Sequence, residues 1–137
     1  MTNYDDKSSI LIVDDDVTTR EMISKILSLN GYQVVLASDG FEVLSILKQN
    51  NINIVITDMK MPEMDGMELI GLIRKSYPDI KIIVMTAFGD IYTIKDAMMK
   101  GADEYVSKPF NSCEINMVIE RVYWSTTPQK NKDLNIF

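Results

Sequence analysis

Ile52-Asn53-Ile54-Val55-Ile56-Thr57-Asp58-Met59-Lys60-Met61-Pro62 is an apolar run that ends on one acid and breaks at once into a turn. The run is short, β-branched and apolar on both alternating faces, the pattern of a strand buried on both sides of a parallel sheet. Asp58 therefore stands where the strand stops, and ligands of open α/β sheets gather outside the carboxyl ends of the strands. Met61-Pro62-Glu63-Met64-Asp65-Gly66 supplies the loop, with Pro and Gly as its turn residues. Taken alone, Asp58 reads equally well as a cap for the turn or for the next helix.

Working outward, strand and helix patterns alternate along the whole chain. Ser9 to Val13 reads as a first strand and stops on three acids, Asp14, Asp15 and Asp16. Val17 to Asn30 carries Met22, Ile23, Ile26 and Leu27 at helical spacing, and Gly31 closes that helix as a C′ glycine. Tyr32 to Ala37 reads as a second strand. Asp39-Gly40 then turns the chain into a helix with Phe41, Leu44 and Leu47 on one face. After the opening strand, Asp65 and Gly66 precede a helix carrying Met67, Leu69, Ile70, Leu72 and Ile73. Ile80 to Met85 is a fourth strand, ending at Thr86-Ala87. Gly89-Asp90 leads into a helix with Ile91, Ile94, Ala97 and Met98 on one side, closed by Gly101. Glu104 to Ser107 is a short fifth strand before Lys108-Pro109. A last helix runs from Asn111 to Trp124 with Ile115, Val118, Ile119 and Val122 inward.

Five strands alternating with five helices predict an α/β, doubly wound, five-stranded parallel sheet. Right-handed crossovers place the carboxyl ends of all its strands on one edge. That edge collects Asp14, Asp15, Asp58, Thr86 and Lys108.

The 137 residues fit one domain, spanning 9–124, with a flexible segment at 1–8 and a tail or linker at 125–137. Apolar residues make up 46%, enough for a core of that size. A net charge of −6 argues against direct nucleic-acid binding, which needs basic surface. No apolar run approaches a membrane span, and Met1-Thr2-Asn3-Tyr4-Asp5-Asp6-Lys7 lacks the order of a signal peptide, so a cytoplasmic protein is expected. The single Cys113 excludes an internal disulfide and reads as a helix or packing residue. The absence of histidine excludes a histidine-based nucleophile relay and an HExxH zinc site. A metal here would be a hard ion on carboxylate oxygen: Mg²⁺, Mn²⁺ or Ca²⁺.

Three carboxylates in one crevice repel one another unless they share a cation. Mg²⁺ suits such a place because it uses one or two carboxylates, keeps waters and engages phosphate. One acid can then act as a phosphoryl acceptor, with a hydroxyl and an ammonium group for the phosphoryl oxygens; Thr86 and Lys108 are of those types. Each residue also has an ordinary reading, as helix cap, strand-end threonine or surface lysine, but the coincidence of all of them on one edge points to function.

Ile10-Leu11-Ile12-Val13-Asp14-Asp15-Asp16, Asp58-Met59-Lys60-Met61-Pro62-Glu63-Met64-Asp65-Gly66, Met85-Thr86-Ala87 and Tyr105-Val106-Ser107-Lys108-Pro109-Phe110 together resemble the receiver domain of bacterial two-component response regulators. The resemblance covers Ile10 to Trp124. It implies the flavodoxin-like (βα)5 fold with strand order 2-1-3-4-5. It implies that Asp58 accepts a phosphoryl group from the phosphohistidine of a sensor histidine kinase or phosphotransfer protein. Asp15, Asp58 and the backbone carbonyl of Lys60 would ligate Mg²⁺ (or Mn²⁺), Asp14 acting mainly through a bound water. Thr86 and Lys108 would bind phosphoryl oxygens, Lys108-Pro109 would be a cis peptide, and Lys60 and Phe88 would tune phosphoryl lifetime. Thr86 and Tyr105 would form a switch, Tyr105 passing from exposed to buried. The surface of residues 90–100, 104–107 and 111–123 would then control a partner, an output domain or a homodimer. Such a chain is not an enzyme beyond its own phosphorylation and dephosphorylation.

Two other readings compete. Asp14-Asp15-Asp16-Val17-Thr18 also fits the DxDxT pattern of haloacid-dehalogenase-type phosphatases, with Gly89-Asp90 in place of their late acidic motif. Against it, Lys108 follows that motif rather than preceding it, and the chain has no room for a cap insertion. The other is a receiver-like binding module that takes no phosphate; such modules usually lack one of the acids or the lysine, and this chain has all of them.

Overall fold

The computed structural model describes residues 9–87 and 94–125. Five strands, β1 (Ser9–Val13), β2 (Gln33–Ala37), β3 (Ile54–Asp58), β4 (Lys81–Thr86) and β5 (Glu104–Ser107), alternate with α1 (Val17–Leu29), α2 (Gly40–Gln49), α3 (Gly66–Ser76), α4 (Ile94–Lys100) and α5 (Ser112–Ser125). All strand pairings are parallel and the order is β2-β1-β3-β4-β5, as expected. The expectations for Phe88, for Gly89-Asp90 and Ile91, for residues 1–8 and for the chain beyond Ser125 fall outside the described residues.

Alternate strand residues point to opposite faces, and the core divides accordingly. Ile10, Ile12, Ile54, Ile56, Ile83 and Met85 pack with Ile23 and Leu27 of α1 and with Ile115, Val118, Ile119 and Val122 of α5. Leu11, Val13, Val55, Ile82 and Val84 pack on the other face against α2, α3 and Ala97 of α4. Every residue of β3 is buried, which is what its two-sided apolar pattern predicts. β2 is an edge strand, so its Val34 and Val35 are only partly covered.

Several expected core positions face solvent instead. Phe41 is 57% exposed, because α2 buries Gly40, Val43 and Leu47. Two positions from Val43 is about 200° around a helix, so Phe41 points away from the sheet. Met22, Leu72 and Met98 flank the buried stripes of α1, α3 and α4 and are also exposed. Cys113 lies on α5 and is exposed, so it is a helix residue and not a packing one. α5 continues to Ser125, one residue past its expected end at Trp124.

Arg74 ties the far end of the domain together. Its Nε and Nη2 both donate to the Gly101 carbonyl, at 3.2 and 2.6 Å; Nη1 donates to the carbonyls of Pro78 and Ile80, at 2.9 and 2.7 Å; and Nη2 also meets Asp103 Oδ2 at 3.0 Å. A guanidinium has five N–H donors, and here each has a partner. One side chain thus joins the end of α3, the turn into β4 and the turn between α4 and β5. Arg74→Met is expected to lower unfolding free energy by about 2 kcal/mol, since it strands part-buried carbonyls and Asp103; urea denaturation checks this.

Candidate functional site

Four strands deliver side chains to one edge of the sheet. Asp14 follows β1 and is fully buried, whereas its neighbour Asp15 is exposed. Asp58 is the last residue of β3 and Thr86 the last of β4, each 7% exposed. Register explains why they meet: Asp58 pairs with Met85, one residue before Thr86, and Thr86 pairs with Ser107, one residue before Lys108. The Lys108 N–H donates to the Thr86 carbonyl at 2.6 Å, and the Lys108-Pro109 peptide is cis, as the resemblance implied.

One carboxylate oxygen from each of Asp14, Asp15 and Asp58 lies within 4.8 Å of the others. Lys108 Nζ reaches Asp14 Oδ2 at 2.9 Å and Asp58 Oδ2 at 3.3 Å. The cleft above them, about 540 Å³, is lined by Asp15, Asp58, Lys60, Ala87 and Lys108, with Met61 and Pro62 as its wall. Asp14 lies beneath that lining, so the two acids open to the cleft are Asp15 and Asp58. Lys60 is exposed at the rim. Asp16, the third acid of the run, is turned away: its Oδ2 accepts the Thr19 hydroxyl at 2.6 Å, a bond that holds its carboxyl below the usual range.

The electrostatics follow from this packing. Burial, and after it the nearby charge of Asp14, pushes the Asp58 carboxyl up to about 6, against the pull of Lys108 and of the Lys60 backbone N–H. Burial acts to lower Lys108, but its hydrogen bond to Asp14 and the charges of Asp58 and Asp14 outweigh it, and the ammonium form is held above its ordinary range. Among the described residues Lys108 is the cation paired with these carboxylates, through Asp14 and Asp58, and the cluster retains negative charge. Hard oxygen donors in a partly open cleft with uncompensated charge fit a hard divalent ion, Mg²⁺, Mn²⁺ or Ca²⁺, as the donor types alone implied.

Two supports of the site were not foreseen. Gly66, expected only as a turn residue, comes so close to β3 that a Cβ there would lie 2.4 Å from the Asp58 carbonyl oxygen. Its N–H also bonds the Met59 carbonyl at 2.8 Å, closing the loop behind Asp58. Arg20, in α1, reaches back to donate through Nη1 to the Asp14 carbonyl at 2.5 Å. A basic residue one turn into the helix after an acidic run is its only trace in the sequence. Tyr105, on β5, is 40% exposed.

Comparison with known proteins agrees with this geometry. A family model described as the response regulator receiver domain matches residues 10–120. Response regulator MprA of Mycobacterium sp. (strain KMS) is 36% identical over 124 residues, covering 90% of this chain and 54% of MprA. The chain spans about half the length of such curated relatives. Among solved structures, a response regulator receiver domain protein from Clostridium thermocellum superposes with a TM-score of 0.80 at 34% identity, covering 93% of this chain and 98% of that one. Chemotaxis response regulator CheY4 of Vibrio cholerae gives 0.79 at 30% identity, covering 85% and 98%. Sheet order, the acid–lysine edge and a match over most of the chain coincide, and the protein belongs to the response regulator receiver domain family.

Proposed function

We propose that Asp58 accepts a phosphoryl group from the phosphohistidine of a sensor histidine kinase or phosphotransfer protein. The observation that carries this is the placement of Asp58: of the acids at this edge, it opens to the cleft and also touches Lys108, at 3.3 Å. A carboxylate there can attack phosphorus while the Lys108 ammonium and the Thr86 hydroxyl receive phosphoryl oxygens. Asp15, Asp58 and the Lys60 carbonyl are the groups that would hold Mg²⁺, with Asp14 acting through a bound water. When bound, Mg²⁺ supplies the positive charge that a phosphoryl group needs beside three acids. The phosphatase reading is disfavoured both by the family match and by Asp14, whose carboxylate is fully buried and bonded to Lys108.

The chain performs no chemistry on other substrates in this reading, only its own phosphorylation and dephosphorylation. Its output is conformational. Phosphorylation adds charge and acceptor oxygens beside Thr86. Thr86 moves toward them, and Tyr105, two residues before its register partner Ser107, turns inward. The face of α4, β5 and α5 then presents a changed surface to an output domain, a target protein or a second copy. Among the described residues no helix is long and apolar enough to cross a membrane, and we place the domain in the cytoplasm with its kinase.

The test is phosphotransfer. A phosphorylated histidine kinase fragment, or a small acyl phosphate, is expected to add one base-labile phosphoryl group in the presence of Mg²⁺, mapped by peptide mass to Asp58. Labelling on a serine or threonine, or none from any donor, would sink the assignment.

A further inference from the structure

The loop between β1 and α1 carries Asp14 and Asp15, and three hydrogen bonds accepted by Asp14 help to shape it. Asp14 Oδ1 accepts the Asp16 N–H at 2.9 Å, Asp14 Oδ2 accepts Lys108 Nζ at 2.9 Å, and the Asp14 carbonyl accepts Arg20 Nη1 at 2.5 Å. The second holds only the Asp14 side chain, the first ties that side chain to the Asp16 backbone N–H, and the third acts on the Asp14 carbonyl itself. The carbonyl of Asp14 and the N–H of Asp15 belong to one rigid peptide plane. A guanidinium fixed on that carbonyl therefore fixes the plane, and with it the direction in which the Asp15 side chain leaves the chain. Asp15 needs such help, because it is exposed and no hydrogen bond or ion pair among the described residues holds its carboxylate. Arg20 is itself anchored by α1, its N–H bonded to the Asp16 carbonyl at 3.1 Å. The guanidinium bonds a carbonyl and not a carboxylate, so it shapes the loop without occupying the oxygens a metal would use.

We infer that Arg20 is a positioning residue that aims Asp15 into the acid cleft, and that this aim favours Mg²⁺ over Ca²⁺ there. The inference rests on the reading of Asp14, Asp15 and Asp58 as a metal site. Mg²⁺ requires near-octahedral ligands at short distance, whereas Ca²⁺ accepts more ligands at longer and more variable distances. A loosened Asp15 therefore penalises Mg²⁺ more than Ca²⁺. The charge of Arg20 acts the other way: removing a cation beside an acid cluster favours any divalent ion. Positioning and charge thus predict opposite signs for one substitution.

The experiment is calorimetric titration of the full chain with MgCl2 and with CaCl2, for the parent and for Arg20→Met. The variant is expected to bind Mg²⁺ about tenfold more weakly, as when a supporting partner of a metal ligand is lost, with Ca²⁺ affinity unchanged or tighter. Mg²⁺ affinity equal to or above the parent's would overturn the inference, as would parallel losses of both ions. Arg20→Gln, which also removes the charge, carries the same expectation if Arg20→Met does not fold, judged by circular dichroism in metal-free buffer. Asp15→Ala is the control that separates the layers. A parent that binds Mg²⁺ only as weakly as Asp15→Ala defeats the metal-site reading itself, and this inference with it. A parent that binds well beside Arg20 variants of unchanged selectivity defeats the inference alone.

Discussion

Asp58→Asn is expected to take up no phosphoryl group from any donor and, in metal-free buffer at neutral pH, to be more stable than the parent. The first half follows from chemistry: an amide is not the nucleophile that a carboxylate is. The second follows from where Asp58 sits. Its side chain is 11% exposed and lies beside Asp14, and a carboxyl held at about 6 where an unfolded chain would hold it near 4 is charged at neutral pH against that preference. Each tenfold change in proton affinity is about 1.4 kcal/mol, so ionised Asp58 costs the fold about 2–3 kcal/mol. Asparagine has nearly the same shape and no charge to desolvate.

The pH dependence gives this a signature. The folded chain binds the Asp58 proton more tightly than the unfolded chain does. The advantage that this proton confers on the fold is fully present below about pH 4 and is lost as pH rises through about 6. The parent should therefore approach Asp58→Asn in stability as the pH is lowered from 7 to 5 in chelator. Comparing the two chains at each pH cancels the other acids. A stability gap that stays constant across that range would show that Asp58 does not carry the strain, and phosphoryl labelling of Asp58→Asn at the parent's level would remove it as the acceptor.

Asp58, Thr86 and Lys108 were legible because each ends or follows a strand, and parallel topology sends all such ends to one edge. The buried stripes were less legible. Met22, Phe41 and Leu72 are apolar and helical, yet which sector of a helix meets the sheet depends on how the helix lies across it, and that geometry is tertiary. Arg20 and Arg74 were illegible for another reason. Both act mainly on backbone carbonyls, and every residue has a carbonyl, so no partner residue type marks the interaction. Gly66 was legible as a turn glycine, but its main constraint, the approach to the Asp58 carbonyl, appears only once the loop is closed.

Asp15→Ala and Lys108→Ala are expected to move Mg²⁺ affinity in opposite directions, which distinguishes a ligand from a counter-ion. Asp15 lines the cleft as one of the three clustered acids. Losing it should weaken Mg²⁺ binding by more than the roughly 10–100-fold that a supporting partner costs, and phosphoryl uptake should fall with it. Lys108 holds Asp14 at 2.9 Å and Asp58 at 3.3 Å, so its ammonium already stands among the acids that a divalent ion would neutralise. Removing it leaves three carboxylates with no cation between them. The metal-free chain should lose stability, Mg²⁺ should bind several-fold tighter, and Mg²⁺ should restore more stability than it gives the parent. Phosphoryl uptake should still fall, because an oxygen of the transferred group loses its ammonium partner. Tighter metal with slower phosphorylation is a combination that general damage to the fold does not produce. If calorimetry shows Lys108→Ala losing Mg²⁺ affinity as severely as Asp15→Ala, the lysine supports the metal site rather than competing with it, and the roles assigned to the two residues are wrong.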